Sequence, residues 1–144
     1  MDKYNGEGYP DPTAVEALSN LVKAEKTINS YRPLIYVASP FAGNTERNTE
    51  RARGYCRFVV GQGCIPLAPH LLYPQFMDDE DRETRELGIF FALVLLGKCD
   101  ELWVFGERIS EGMGREIAKA ERRSVPVRYW SSRCEEVPRY ANKA

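Results

Sequence analysis

The chain has 144 residues, of which 43% are hydrophobic, and its formal net charge is −1. This length suits one domain with a single buried core, and the hydrophobic content argues against disorder. The nearly neutral charge gives no electrostatic basis for binding a nucleic acid polymer or a membrane surface, so a small-molecule ligand is expected.

The first residues contain no apolar run of signal-peptide type, and the longest apolar run of the chain, Ile89–Leu96, is much shorter than the roughly 20 residues of a membrane-spanning helix. The four cysteines form no C-x-x-C pair, and Cys56, Cys64 and Cys99 lie in apolar segments. We interpret them as reduced thiols of a cytoplasmic protein without a membrane partner.

Residues 1–33 are predicted to form an amino-terminal extension. Residues 1–12 are polar and are expected to be loose, and a helix with a capping-box start is predicted from Thr13 to about Thr27. The apolar run Leu34–Ala38 is then predicted as the first core strand.

A turn of small residues, Ser39–Gly43, follows this strand. The amphipathic segment 46–62 is predicted as a helix that Gly63 closes. Residues 64–68 are predicted as the second strand, and Pro66, which lacks an N–H group, indicates an edge position for it.

Residues 69–81 are predicted to be an irregular segment, of a length that is often functional. A helix is predicted over 85–98, and its second half is apolar on every side. One sheet cannot cover such a helix completely, so we expect a homo-oligomer in which helix 87–97 contacts another subunit.

The remaining strands are predicted at 102–105 and 125–130, and a polar tail, 131–144, is expected to be free to reach a neighbour. Strands that alternate with helices at short spacing predict a single doubly wound, flavodoxin- or Rossmann-like parallel sheet of four to five strands with helices on both faces. This α/β domain is predicted to span residues 34–130.

The stretch Asp100–Ala120 contains a glycine loop between a strand and a helix. Ser110, Gly112 and Gly114 lie in this predicted loop, and Glu116 lies in about the first turn of the helix. Such an arrangement brings free backbone N–H groups together with the positive end of the helix dipole, which suits a phosphate or another anion. A carboxylate beside such a site is expected to act on the ligand.

Ligands bind at the carboxyl ends of the strands in this kind of sheet, where the loops after several strands meet. Glu116 is therefore expected to share a cleft with five other residues, which are Ser39, Phe41, Gly43, His70 and Ser110. Their rings, hydroxyls and glycines suit an aromatic base, a sugar and a phosphate. Beside the anomeric carbon of an N-glycoside, a buried carboxylate can stabilise or capture the oxocarbenium-like centre that forms as the base leaves.

Each of these side chains also has a purely structural interpretation. Glu116 can favour the helix dipole, Ser110 can be an N-cap, and His70 can be a packed ring. Tyr36 is either a core residue or a group whose hydroxyl orients Glu116. A lone histidine has no metal-ligand partner, so no metal site is expected. No other cofactor is predicted for the chain.

Three segments of the chain resemble the nucleoside 2-deoxyribosyltransferase superfamily, and in particular its small DUF4406-type proteins; they are Ile35–Phe41, Cys99–Phe105, and Ser110–Ile117 with Ala120. The resemblance implies that Glu116 is the nucleophile and that Tyr36 is the first-strand tyrosine of the family. It also implies that the turn Ser39–Gly43 wraps the sugar and phosphate.

The resemblance further implies a nucleotide rather than a nucleoside ligand. Six residues before the nucleophile, the deoxyribosyltransferases carry an aspartate, whereas relatives that hydrolyse deoxynucleoside 5′-monophosphates carry a phosphate-binding serine, and this chain has Ser110. The family's second acidic residue would fall near Ala92, in an apolar stretch, so His70, Asp78 or Asp79 would have to replace it.

Our first hypothesis is an enzyme that cleaves the base–sugar bond of a (deoxy)nucleoside 5′-monophosphate by hydrolysis or by transfer to a second base. In this first hypothesis the phosphate is bound by Ser39, Ser110 and Gly112, and the base is contacted by Phe41 or His70. The second hypothesis is a non-catalytic nucleotide-binding or sensing module of the same fold. A third is a flavodoxin-like redox protein.

Overall fold

One β-sheet organises the chain in the computed structural model, which describes residues 12–78 and 80–138. Within these residues the strands are β1 Leu34–Ala38, β2 Ile65–Leu67, β3 Glu101–Phe105, β4 Val127–Trp130 and β5 Glu136–Val137. Their order is β2-β1-β3-β4-β5, with the first four parallel and β5 antiparallel to β4. The predicted doubly wound α/β fold is confirmed, and Pro66 lies in an edge strand, where its missing N–H costs no ladder bond.

The helices described are α1 Pro12–Ile28, α2 Thr45–Gly61, α3 Pro69–Leu72, α4 Arg82–Leu96 and α5 Glu111–Arg122, and a 3-10 turn spans Tyr73–Gln75. The chain divides into two compact units between Tyr31 and Arg32, and α1 belongs to the first of them. The domain bounds at residues 33 and 130 stay predictions. Of the segment 1–12 that was expected to be loose, Pro12 begins α1, and residues 1–11 lie outside the described residues.

Side chains of each strand point alternately to the two faces of the sheet, because a strand has a two-residue repeat. One face packs against α4 and α5, and its core contains Tyr36, Ala38, Leu102 and Val104 with Leu96, Met113 and Ala120. The other face packs against α2, and its core contains Ile35, Val37, Trp103 and Phe105 with Tyr55 and Val59. Tyr36 is therefore directed toward the face that carries α5.

The segment 69–81 was predicted to be irregular, but its first half is helical. Pro69 begins α3, where its missing N–H group costs no hydrogen bond. The N–H of Tyr73 then donates to the carbonyl of Pro69, and the N–H of Phe76 donates to the carbonyl of Tyr73 at 3.0 Å. These two turns are too short for a hydrophobic period to reveal them. The next helix, α4, begins at Arg82 rather than at 85 and ends at Leu96 rather than at 98.

Part of the polar tail pairs with its own chain. β5 pairs with β4, and the guanidinium of Arg128 donates to both carboxylate oxygens of Glu136 at 2.7 and 2.8 Å. The same guanidinium lies 5.0 Å from the ring centroid of Trp103 and 4.9 Å from that of Trp130. A two-residue strand held by such side-chain contacts carries no period in the sequence. Residues 139–144 lie outside the described residues.

Two glycine substitutions are expected to change stability in opposite directions. Gly88 lies in the middle of α4, and an added Cβ there would meet only the Met77 side chain, at 3.7 Å. Gly88→Ala should therefore raise the free energy of unfolding by about 0.5–1 kcal/mol.

Gly63→Ala should lower the free energy of unfolding by about 1–2 kcal/mol, because Gly63 has a φ of +79°. Urea denaturation measures both, and a destabilised Gly88→Ala protein would contradict this account of α4.

Candidate active site

The candidate site lies at the carboxyl ends of β1 and β3. These strands are neighbours at the centre of the sheet, and the chain leaves them toward β2 on one side and β4 on the other. The loops after the two strands lie against each other, since a Cβ added to Gly106 would be 3.7 Å from the Cδ of Pro40. The connections after β1 and β3 thus run to opposite sides of the sheet. In doubly wound folds, ligands bind in the crevice at this switch in strand order.

The start of α5 differs from the predicted glycine loop. Ser110 is the N-cap, and its Oγ accepts a hydrogen bond from the N–H of Met113 at 3.3 Å. Gly112 and Gly114 consequently lie inside the first turn of α5, and Glu116 lies in the second turn rather than the first. The N–H groups of Glu111 and Gly112 come before the first intrahelical hydrogen bond, so the helix does not supply acceptors for them.

Glu116 lies on the buried side of α5. Met113 and Ala120, three residues before it and four residues after it, both contact the sheet, so helical geometry places Glu116 on the same stripe. The spacing of these residues in the sequence is the signal that a carboxylate falls on an apolar helix face. The Glu116 residue retains some exposed surface, but the surrounding protein desolvates its carboxylate.

Glu116 and Tyr36 form the central pair of the site. Burial raises the pKa of the Glu116 carboxyl to about 7, although the hydrogen bond from the Tyr36 hydroxyl lowers it in part. Burial and the neighbouring Glu116 carboxylate together raise the pKa of Tyr36 well above its ordinary value. The tyrosine is therefore a permanent hydrogen-bond donor, and the carboxyl exchanges its proton close to neutral pH.

A second group of side chains lies at the carboxyl end of β1. The Oγ of Ser39, which is buried, is 3.1 Å from the Nε2 of His70 on α3. The rings of Phe41 and His70 meet edge to face with centroids 6.0 Å apart. Burial lowers the pKa of His70 to about 4, so the ring is neutral at pH 7.

The turn between β1 and α2 is fixed by its own hydrogen bonds. Gly43 adopts a φ of +96°, which a residue with a side chain adopts only with strain. The Nδ2 of Asn48 donates to the carbonyls of Phe41 and Ala42 at 3.1 and 3.0 Å. Asn48 was not predicted to belong to the site, because an asparagine inside a helix gives no signal of a bond to the preceding loop.

The structure brings the predicted residues together as two pairs at one sheet edge. Glu116 contacts Tyr36, and Ser39 contacts His70, but no hydrogen bond between the two pairs is present within the part of the chain described. Tyr73, in the segment after β2, packs its ring against Phe76 and Phe91, with both centroids 5.8 Å away.

Of the two aspartates that could replace the family's second acid, only Asp78 lies among the described residues. Asp78 is exposed, and its Oδ1 accepts the N–H of Glu80 at 2.9 Å. Asp79 lies outside the described residues, and Ala92 packs against the core. Residues 12–78 and 80–138 contain no group of three or more His, Cys, Asp or Glu side chains suited to a metal ion. None of the helices in these ranges is both long and apolar enough to cross a membrane.

Replacing His70 by glutamine is expected to make the fold less sensitive to acid. The pKa of His70 is about 4 in the folded chain and 6.5 when unperturbed, so the unfolded chain binds the proton more readily. The stability that the neutral ring provides is complete above pH 6.5 and is lost as the pH falls toward 4. Between pH 7 and pH 4 the free energy of unfolding should therefore fall by about 2 kcal/mol more for the parent than for His70→Gln. Urea denaturation across this range measures the difference, and equal pH dependence in both proteins would contradict it.

Comparisons with known proteins support this description of the fold. A solved structure of the 2-deoxyribosyltransferase from Bacillus psychrosaccharolyticus superposes with a TM-score of 0.57 and 18% sequence identity, covering 76% of this chain and 79% of that one. No curated protein sequence matches the chain significantly. A family model described as a domain of unknown function, DUF7768, matches residues 33–130, so the family is not the DUF4406 type that the sequence motifs indicated. The match covers most of the chain, which therefore belongs to the DUF7768 family.

Proposed function

We propose that the protein cleaves the base–sugar bond of a (deoxy)nucleoside 5′-monophosphate, with Glu116 as the nucleophile. The observation that carries the proposal is a desolvated carboxylate that accepts a hydrogen bond from Tyr36 at the crevice between β1 and β3. The solved structure with the same fold belongs to a 2-deoxyribosyltransferase, and this adds support for chemistry at a nucleoside.

The reaction has two steps in this proposal. The Glu116 carboxylate bonds to C1′ of the sugar, the C1′–N bond breaks, and its electron pair leaves with the base, which takes a proton from water. Water or a second base then bonds to C1′, loses a proton and releases the Glu116 carboxylate. Tyr36 donates its hydrogen bond to the carboxylate throughout and so fixes the attacking oxygen.

The start of α5 and the turn after β1 are proposed to hold the phosphate. The Ser110 oxygen already accepts the Met113 N–H, so the hydroxyl proton is left to donate to a phosphate oxygen. Gly112 and Gly114 present only backbone to the ligand, and Ser39 supplies a second hydroxyl. The helix dipole favours the phosphate charge at the same place.

The base is proposed to contact Phe41 or His70. A neutral ring at His70 suits stacking or hydrogen bonding to an uncharged base, but with a pKa of about 4 it is a poor proton donor at pH 7. This observation favours a second candidate function, a nucleotide-binding or sensing module that keeps the crevice and has no acid to assist the leaving base.

One experiment separates the two functions. The full chain is incubated with a panel of ribonucleoside and deoxyribonucleoside 5′-monophosphates, with and without a second free base, and the products are separated by chromatography. Released base supports the enzyme, and exchanged base identifies transfer rather than hydrolysis. Saturable binding in calorimetry with no released base would support the sensing module instead.

A homo-oligomer through helix 87–97 is a separate part of the proposal. Leu87, Phe90 and Val94 on α4 are exposed, and Phe90 keeps 60% of its surface in contact with solvent. Phe90 also lines a groove of about 440 Å³ between α4 and α5, together with the apolar Ile89, Leu93 and Ala118 and the charged Glu86, Arg115 and Arg122. Exposed apolar surface of this kind favours association. Sedimentation of the parent should show a dimer or a larger species, and Phe90→Ser should weaken this association. A parent that is monomeric at micromolar concentration would exclude the homo-oligomer.

A further inference from the structure

We propose that Ser132 is a positioning residue for the loop Gly106–Ser110, which joins β3 to α5, and that it acts by binding Glu107. The proposal rests on the proposed function only in giving this loop a phosphate to bind. The contact between Ser132 and Glu107 is a property of the fold itself, so it can be tested without any ligand. Ser132 lies beyond the family match, which ends at residue 130.

The loop between β3 and α5 leads directly into the proposed phosphate site. At its start, Gly106 has a φ of +103°, and its N–H donates to the carbonyl of Trp130 on β4 at 2.9 Å. At its end, Ser110 caps α5. Between the two ends Ile109 packs against the core, whereas Glu107 is exposed. The position of Glu107 therefore depends on hydrogen bonds rather than on packing.

The carboxylate of Glu107 accepts two hydrogen bonds from a single residue in the turn after β4. Its Oε1 accepts the backbone N–H of Ser132 and the hydroxyl of Ser132, both at 3.0 Å. The bond from the backbone N–H, and to a smaller extent the bond from the hydroxyl, lowers the pKa of Glu107 below its ordinary value, so the carboxylate is ionised at pH 7. Hydrogen bonds to an ionised acceptor are stronger than neutral ones, and two donors on one oxygen restrict its direction as well as its distance.

The turn that carries Ser132 is fixed by its own hydrogen bonds. The N–H of Ser131 donates to the carbonyl of Glu135 at 2.8 Å, and the N–H of Cys134 donates to the carbonyl of Ser131 at 2.9 Å. The Oγ of Ser131 accepts the N–H groups of Arg133 and Glu135, both at 3.2 Å. The strand that follows, β5, pairs with β4. Ser132 is therefore held on the sheet, and its two bonds pass this fixed position on to the loop.

The tether between Ser132 and Glu107 restrains one wall of the crevice. A Cβ added to Gly106 would lie 3.7 Å from the Cδ of Pro40, so the loop after β3 lies against the turn after β1. Glu107 follows Gly106 in the chain, and the same short loop ends at Ser110, whose hydroxyl is proposed to donate to the phosphate. Holding Glu107 at the turn after β4 limits the movement of that loop. A loop without the tether has to be ordered when the ligand binds, which weakens binding.

Loss of the tether should therefore weaken nucleotide binding without slowing the bond change at C1′, because Glu116 and Tyr36 lie on α5 and β1 rather than on the loop. Glu107→Ala removes both hydrogen bonds. It should raise the dissociation constant of a nucleoside 5′-monophosphate about tenfold in calorimetry and keep kcat within about twofold of the parent. Ser132→Ala removes the hydroxyl bond alone and should raise the constant about threefold, whereas Ser132→Thr keeps a hydroxyl and should restore the parent value.

NMR of the full chain without ligand measures the restraint directly. In Glu107→Ala the Gly106 amide should exchange about tenfold faster, and the backbone order parameters of residues 107–109 should fall, because the loop is no longer held. Glu135→Ala is the matched control. It removes an exposed carboxylate from the same turn and leaves both bonds between Ser132 and Glu107 in place, so it should change neither the exchange nor the dissociation constant.

Parent-like exchange and order parameters in folded Glu107→Ala would overturn the proposal, and so would an equal effect in Glu135→Ala. A lower kcat with an unchanged dissociation constant would also contradict it, because the tether is proposed to act on binding. Ser132→Ala changes a different residue by a single hydroxyl, which keeps the test valid if Glu107→Ala fails to fold. If the parent binds no nucleotide, the proposed function fails, whereas the NMR measurements still decide whether Ser132 positions the loop.

Discussion

Glu116→Gln is expected to reduce base release from a nucleoside 5′-monophosphate by at least about a thousandfold, because an amide cannot bond to C1′ as a carboxylate does. The amide keeps the size of the side chain and still accepts the hydrogen bond from Tyr36. Nucleotide affinity should therefore stay within about threefold of the parent value, since the proposed phosphate and base contacts are untouched. Chromatography of the released base and calorimetry of nucleotide binding measure the two quantities.

The matched control for this prediction is Glu111→Gln. It makes the same chemical change on the same helix, but the Glu111 side chain is 90% exposed and lies 3.9 Å from Arg115 as a weak surface pair. At saturating nucleotide it should keep the parent's rate of base release, because the Glu111 side chain takes no part in the proposed bond to C1′. A Glu116→Gln protein that releases base at the parent rate would remove Glu116 from the mechanism, and another group would then have to act on C1′.

Glu116→Gln is also expected to stabilise the fold at alkaline pH. The pKa of Glu116 is about 7 in the folded chain and 4.5 when unperturbed, so the folded state binds the proton more tightly. The stability that protonated Glu116 contributes is complete below pH 4.5 and is lost as the pH rises through 7. Glutamine resembles the protonated form at every pH. The difference in free energy of unfolding between Glu116→Gln and the parent should therefore be about 2 kcal/mol larger, in favour of the variant, at pH 8 than at pH 5.

Urea denaturation of the parent, Glu116→Gln and Glu111→Gln at pH 5 and pH 8 measures this effect. Only Glu116→Gln should show a stability difference from the parent that grows with pH. A constant difference would indicate that the carboxylate is well solvated in the folded chain. This result would weaken the nucleophile proposal too, because the proposal depends on a desolvated carboxylate.

The sequence contained enough information for the fold and for the position of the central carboxylate. Four apolar runs separated by helical patterns identified the parallel strands, and the two central strands β1 and β3 are buried on both faces. The glycine loop predicted Glu116 near the start of α5, and the spacing of Met113, Glu116 and Ala120, which that prediction did not use, also indicates a carboxylate on the apolar stripe of the helix. Both patterns extend over several residues and depend on local geometry, so they can be recognised without coordinates.

The features that escaped prediction depend on single contacts rather than on a repeated pattern. The Ser110 hydroxyl decides where α5 begins, and so Gly112 and Gly114 became helical residues rather than loop residues. β5 depends on the bond between Arg128 and Glu136. Neither of these contacts produces a repeat or a motif.

The short strand β5 has a consequence for how this domain should be isolated. The family match ends at residue 130, which is the last residue of β4, so a chain cut at that boundary would lose β5 and Glu136. The outer N–H and C=O groups of β4 would then face water as an open strand, with Trp130 beside them. Open strand edges recruit other chains, so the trimmed protein should form aggregates where the full chain does not.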